Sequence, residues 1–262
     1  MIFRKNELTE DDIKNIPKSF DVVGDILIFT DFPKELSKKE KLVGEYLIKK
    51  FKNIKTIAKK SKKYSGKLRT TKLKVIAGEK KLETVHKESG LRFKVNPEKV
   101  YFSPRSGTER VRIANLVKDN EEVLVMFSGI APFALVISKH SKAKEIYAIE
   151  LNKEGYKYAQ ENIKLNKIKN VILIQGDVRK VTPNLKFDRI IMPHPSDSES
   201  YLKLALTHLK SKGTIHLYLF EKQENFTKLK EKYSKEFRVK LVKAGTPSPG
   251  RYRVCLDLQP KF

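Results

Sequence analysis

Leu124-Val125-Met126-Phe127-Ser128-Gly129-Ile130-Ala131-Pro132-Phe133 passes from a buried-strand pattern into a turn of small residues and then a helix start. In a parallel α/β sheet the turn after the first strand lets a nucleotide cofactor approach the backbone, and an acid about 20 residues later receives its ribose hydroxyls. Gly129 and Glu150 stand at those two places. The dinucleotide pattern G-x-G-x-x-G is replaced by Ser128, Gly129 and Ala131, so no long pyrophosphate cradle is offered. A nucleoside without phosphates, such as S-adenosylmethionine, fits that turn better. An ordinary strand, turn and helix with a solvent-facing Glu150 satisfies the same pattern.

Outward from this segment, strand and helix patterns alternate to the end of the chain, which implies a parallel sheet. Strand patterns occupy 123–127, 145–150, 171–177, 187–193, 214–220, 238–244 and 252–258. Helical patterns occupy 132–140, 153–165, 200–209 and 226–235. The last strand follows Pro247-Ser248-Pro249-Gly250, with no room for a crossover helix, and is expected to run antiparallel to its neighbour.

The first third reads as a small mixed α+β unit. Phe20 to Phe29 is a strand pattern interrupted at Gly24, and Asp31-Phe32-Pro33 is a turn. Ser37 and Glu40 have the spacing of a capping box ahead of a helix reaching Phe51. A strand is expected over 54–59, a loop at Tyr64-Ser65-Gly66, and short antiparallel strands over 72–77, 83–86 and 91–95. The expected organisation is therefore a basic α+β domain over residues 1–98 and an α/β domain over 99–262.

Composition narrows the function. With 56 Lys+Arg against 31 Asp+Glu the formal net charge is +25, beyond what solubility needs, and points to a polyanionic partner. Residues 34–63 alone hold twelve lysines and three glutamates. A lysine-rich surface that serves only solvation gives the same count. No apolar run approaches a membrane span, and the N-terminus lacks the apolar centre of a signal peptide, so a cytoplasmic location is expected. Cys255 is the single cysteine, and the five histidines show no paired ligand spacing, so no metal site is expected.

Candidate chemistry gathers at strand ends. Glu150 would hold ribose, while Asp177 would accept from an adenine amine with the Val178 amide reading a ring nitrogen, or else simply cap a turn. Met192-Pro193-His194-Pro195 fixes an extended backbone, suited to a wall facing a flat substrate or to plain strand termination. His194 reads as a base or as a structural turn residue. Tyr101-Phe102-Ser103-Pro104-Arg105-Ser106-Gly107-Thr108-Glu109-Arg110 packs aromatic rings, arginines and a carboxylate into ten positions. That mixture suits base stacking, phosphate binding and proton transfer, and it equally suits a linker entering a helix.

YFSPR followed by TER, then MFSGIAPF, IYAIELN, GDVR, DRIIMP, GTIHLY and PGRYRVCLDL, resemble the archaeal and eukaryotic tRNA (guanine-37-N1)-methyltransferase family over roughly residues 20 to 262. The resemblance implies a basic RNA-binding domain ahead of a Rossmann-like class I methyltransferase domain, S-adenosylmethionine as cofactor, the tRNA anticodon stem-loop as partner and a monomer. It implies Glu109 as general base and Arg69 as the group on guanine O6. Tyr101 and Arg105 would line the substrate pocket. The charge of the lysine-rich segment, apart from the resemblance, suggests Lys59, Lys60, Lys62 and Lys63 as the RNA grip. Arg110, Phe127, Gly129, Glu150, Leu151, Asp177, Val178 and Pro193 would meet the cofactor. Guanine N1 carries a proton at neutral pH, so a base and a charge acceptor are the two parts the reaction needs.

The pattern also departs from the family. Val125 stands where many relatives have an acid, Ala131 where they have a second glycine, and Pro193 where they have an asparagine. Wybutosine-pathway aminocarboxypropyltransferases share the implied architecture and cofactor and form the alternative within the enzyme class. A non-catalytic tRNA-binding relative is the alternative outside it.

Overall fold

The structure, a computed structural model, describes residues 7–65, 70–248 and 250–261. The chain parts into two compact units between Pro104 and Arg105.

In the first unit, α1 (Glu10–Lys14) starts at a capping box in which Thr9 and Asp12 satisfy each other's backbone N–H. β1 (Asp21–Val23) and β2 (Ile26–Phe29) form an antiparallel pair around Gly24, whose φ of +58° suits a residue without Cβ. α2 (Glu40–Lys50) lays Val43, Gly44 and Leu47 inward. The capping box expected at its start does not form. Ser37–Lys39 makes a 3-10 turn, Ser37 Oγ donates to Pro33 O, and Glu40 binds the ammonium groups of Lys59 and Lys74 instead. Two cationic partners outcompete one backbone amide.

β3 (Thr56–Ser65) runs parallel to β2 and antiparallel to β4 (Thr70–Gly78), giving the order β1-β2-β3-β4. The parallel pairing of β2 and β3 is possible because α2 supplies the crossover between them, while β4, over the segment expected to be antiparallel, is antiparallel to β3. β3 also runs on through Tyr64 and Ser65, read from sequence as loop, while Gly66 lies outside the described residues. β5 (Thr84–Glu88) and β6 (Leu91–Val95) form the expected hairpin. Its two turn residues, Ser89 and Gly90, have φ of 50° and 70°, as a type I′ turn requires.

A 3-10 turn at Pro104–Ser106 crosses the boundary and leads into α3 (Gly107–Leu116), so the Ser103-to-Arg110 stretch is a helix entry. Then follow β7 (Glu122–Val125), α4 (Pro132–His140), β8 (Glu145–Glu150), α5 (Lys153–Leu165), β9 (Val171–Gln175), α6 (Val178–Val181), β10 (Phe187–Met192) and α7 (Leu202–Thr207). β11 (Leu209–Lys222), α8 (Phe226–Ser234), β12 (Phe237–Ser248) and β13 (Arg251–Pro260) complete it. The sheet order is β12-β13-β11-β10-β7-β8-β9. β13 is antiparallel to both β11 and β12, and the other pairings are parallel. Each of the strands expected from sequence is present. The helix expected over 200–209 is shorter, because Leu209 already pairs with Phe187 in the sheet.

Strand order reverses at β7, between β10 and β8, which opens a crevice at the carboxyl ends of these strands. Leu124 of β7 and Ile190, Ile191 and Met192 of β10 are fully buried, as central strands of a parallel sheet are. Among the described residues no helix is long and apolar enough to cross a membrane.

Gly78 has φ +84°, and a Cβ there would sit 2.0 Å from Lys55 O, whereas at Gly90, φ +70°, it would meet nothing within 4 Å. Gly78→Ala should therefore lower stability by about 3 kcal/mol or more and Gly90→Ala by about 1–2 kcal/mol. Urea unfolding followed by circular dichroism checks the ranking; equal losses would contradict it.

Candidate functional site

The turn after β7 is held from both sides: Met126 N–H donates to Ile191 O of β10 at 2.9 Å and Ser128 N–H to Ile149 O of β8 at 2.8 Å. Its backbone is left-handed at Phe127 (φ 55°), Gly129 (φ 58°) and Ala131 (φ 64°). Two of these carry a side chain, so the turn stores strain of order 1–2 kcal/mol at each, as functional turns often do.

Glu150 is not solvent-facing. At 8% exposure it accepts from Gly129 N–H at 2.6 Å and from Asn152 N–H at 2.7 Å. Burial raises its pKa, and the Asn152 and Gly129 amides oppose that rise. An ionised carboxylate has about four acceptor sites, so capacity remains for ligand hydroxyls. Beside it Leu151 is 45% exposed, an apolar face at a strand end. Ser128 Oγ is buried without a hydrogen-bond partner. A buried acceptor, an apolar shelf and an orphaned hydroxyl around a strained turn fit an adenosine moiety.

Asp177 behaves as the cap that sequence left open. It N-caps α6, and Arg179 grips both carboxylate oxygens at 3.0 and 2.6 Å, which pulls its pKa down to about 2. Val178 is buried and begins α6. Ser198 Oγ lies 2.9 Å from Met192 O and 2.8 Å from His194 O, so the segment containing the half-buried Pro193 is tied down. The His194 ring lies 5.6 Å from that of Phe127, and Tyr201 meets Phe127 edge-on at 4.9 Å. The ends of β7 and β10 thus share an aromatic cluster.

Glu109, in the first turn of α3, is 7% exposed. Tyr218 of β11 donates to its Oε1 at 2.6 Å; Arg112 donates from Nε to Oε2 and from Nη2 to Oε1, both at 2.8 Å. Arg112 Nη1 continues to Asp257 Oδ2 at 2.8 Å, Asp257 Oδ1 to His216 Nδ1 at 2.6 Å, and His216 Nε2 to Arg189 Nη1 at 2.7 Å. Arg189 ends the chain on Glu121 at 2.8 and 3.0 Å. A guanidinium only donates, so His216 Nε2 is the acceptor and Nδ1 carries the proton given to Asp257. Burial lowers the His216 pKa, consistent with that neutral tautomer. Burial alone would raise Asp257, but His216 and Arg112 outweigh it and hold the carboxyl well below its usual range.

His216, Cys255 and Asp257 bring three possible metal-ligand atoms within 4.8 Å of one another. Arg189 and Arg112 already satisfy the same histidine and carboxylate, so these groups serve an ion network. Sequence reasoning missed Arg112, Arg189, His216, Tyr218 and Asp257. The signal was there: charged or polar residues inside apolar strand runs, at Arg189 in FDRIIM, His216 in TIHLYLF and Asp257 in CLDL.

The remaining candidates fall in both units. Arg110 is buried and Arg105 exposed in the second unit, and Tyr101 is half-buried in the first. Lys59 is engaged inside the first unit, with its ammonium 2.5 Å from Glu40 and 5.0 Å from the Phe32 ring centroid. Lys60 lies within 3.3 Å of Thr30 Oγ1. Arg69 and the side chains of Lys62 and Lys63 lie outside the described residues.

Residues 84–242 match the family model described as the TRM5/TYW2 methyltransferase domain. The chain belongs to that family. Residues 2–81 match the TYW2 N-terminal domain. The TRM5/TYW2 relatives include Pyrococcus abyssi tRNA (guanine(37)-N(1))-methyltransferase Trm5b, 37% identical over 94% of this chain and 76% of the relative. The crystal structure of Trm5b from P. abyssi superposes with a TM-score of 0.82 over 99% of this chain and 80% of that one. The Methanocaldococcus jannaschii tRNA(Phe) (4-demethylwyosine(37)-C(7)) aminocarboxypropyltransferase is 39% identical over 75% of this chain and 76% of the relative. The structure of M. jannaschii TYW2 in complex with AdoMet is 29% identical, with a TM-score of 0.67 over 92% of this chain and 98% of that one.

Asp257 has a lowered folded-state pKa against an unfolded value near ~3.9, so its stabilisation is complete above about pH 4 and disappears as pH falls through the folded value. Unfolding free energy should fall more between pH 5 and pH 3 in the wild-type protein than in Asp257→Asn. Urea titrations at the two pH values measure this, and an equal fall would refute it.

Proposed function

We propose that this protein transfers the methyl group of S-adenosylmethionine to N1 of guanine 37 in tRNA. The observation that carries the reading is that one unit holds both a buried ribose-type acceptor, Glu150, and a second buried carboxylate, Glu109, of the kind that N1 deprotonation demands. The two are linked through packing: α3 lies against α4, and the Phe133 ring, just after the Gly129 turn, is 5.7 Å from that of Tyr218, the partner of Glu109. The relatives' assigned substrates and the net charge of +25 both point to tRNA as the partner.

Bound S-adenosylmethionine supplies a methyl group on a good sulfonium leaving group. Glu150 would hold the ribose, with Phe127, Gly129, Leu151 and Val178 forming the turn and shelf around the nucleoside, and Pro193 and Arg110 bordering it. Asp177 would share its carboxylate between Arg179 and the adenine amine. Glu109 would take the N1 proton of guanine while Arg69 compensates the charge growing on O6. With that proton removed, the N1 lone pair would be free to accept the methyl group. Tyr101 and Arg105 would align the base, which is the remaining contribution of the protein.

One observation favours aminocarboxypropyl transfer as the second reading: the match of residues 2–81 to the TYW2 N-terminal domain. Incubation with S-adenosylmethionine and tRNA carrying either guanine 37 or 4-demethylwyosine 37, followed by nucleoside mass spectrometry, separates the two. A methylguanosine product from the guanine-37 tRNA is expected. An aminocarboxypropyl-sized mass gain on the 4-demethylwyosine tRNA alone would replace the reading with the second, and no gain on either would leave a binding protein. Glu150→Ala should weaken S-adenosylmethionine binding about tenfold or more by calorimetry, as loss of charge-assisted hydrogen bonds implies.

Alanine at Lys60, Lys62 and Lys63 together should weaken tRNA binding and flatten the dependence of log affinity on log salt by about one unit per phosphate contact removed. Filter binding across a salt series reads this directly. An unchanged slope would remove these lysines from the RNA surface.

A further inference from the structure

Three of the roughly four acceptor positions of the Glu109 carboxylate are occupied by described hydrogen bonds: two on Oε1, from Tyr218 and Arg112 Nη2, and one on Oε2, from Arg112 Nε. The position left over is on Oε2. A planar guanidinium bound side-on by two of its nitrogens also fixes the plane of the carboxylate, which one ammonium cannot do. Arg112 is itself held by Asp257, which is held by His216. Tyr218 is fully buried, and burial first of all raises its pKa, so it remains a hydroxyl donor at neutral pH.

Resting on the reading of Glu109 as the base, we infer that Arg112 and Tyr218 are positioning residues that leave the open lone pair of Glu109 Oε2 as the one that receives the guanine N1 proton. The transfer balances simply: the N1–H bond breaks, its electron pair stays on N1, and the proton forms a bond to Oε2. A carboxylate free to rotate would offer either oxygen and spend part of its time misaligned, whereas one held on three sides presents the same atom to each substrate. Asp257 acts one step further back, by preventing the Arg112 side chain from turning away from α3.

The full chain, with unmodified tRNA bearing guanine 37 and S-adenosylmethionine, tests this in single-turnover and steady-state assays. Tyr218→Phe keeps the ring and removes the donor, and is expected to lower kcat about tenfold with both KM values within about twofold. Arg112→Lys, which keeps charge but loses the fork, is expected to do the same and covers a folding failure in Tyr218→Phe. Glu109→Gln is expected to lose about 100-fold or more. The deciding variant is the double change Tyr218→Phe/Glu109→Gln, which should be no slower than Glu109→Gln alone, because a positioning group has nothing left to position. A further tenfold loss in the double variant, or an unimpaired Tyr218→Phe beside a slow Glu109→Gln, overturns the inference while leaving the base in place. Full activity in Glu109→Gln removes the base reading itself and the inference with it.

Discussion

Arg112 lies between two carboxylates that belong to different elements, Glu109 on α3 and Asp257 on β13, and the interior of the second unit is arranged around that bridge. A guanidinium taken out of water must be met by acceptors along its N–H edges, or it costs several kcal/mol. Each acceptor, once buried, needs donors in turn. Tyr218 answers Glu109, His216 answers Asp257, and Arg189 answers His216 before Glu121 closes the row. The row crosses β13, β11 and β10 in their order in the sheet. Strand register and side-chain charge therefore specify each other: a slip of one residue in β13 would turn Asp257 to the other face and strand Arg112.

Such a network is poor value as a source of stability alone, because apolar residues of similar volume serve about as well. Its worth lies in geometry. α3 begins only a few residues after the unit boundary, and a helix so placed is held by its packing against α4 and by these ionic ties to the sheet. Glu109 is thereby held as firmly as a strand residue although it sits in a first helical turn. The strained turn at Phe127, Gly129 and Ala131 does the equivalent for Glu150, whose carboxylate is clamped by amides of that turn and of Asn152. The two buried carboxylates are held for different reasons, one by ion pairing and one by backbone amides.

Sequence alone was sufficient for the α/β architecture, the strands of the second unit, the antiparallel last strand, and Gly129 with Glu150 as the pair at the strand ends. These depend on periodicity, apolar run length and turn composition, which are local quantities written directly in the chain. Local spacing failed where a partner distant in sequence intervened. The Ser37 and Glu40 spacing promised a cap, but Lys59 and Lys74 arrive from the neighbouring strands and take the carboxylate. What surrounds Glu109 was invisible for the same reason: Tyr218 and Asp257 lie 109 and 145 residues from the groups they bind, and only sheet order brings them together. Electrostatic pairing in a buried site is a property of distance in space, and the tertiary fold alone sets that distance.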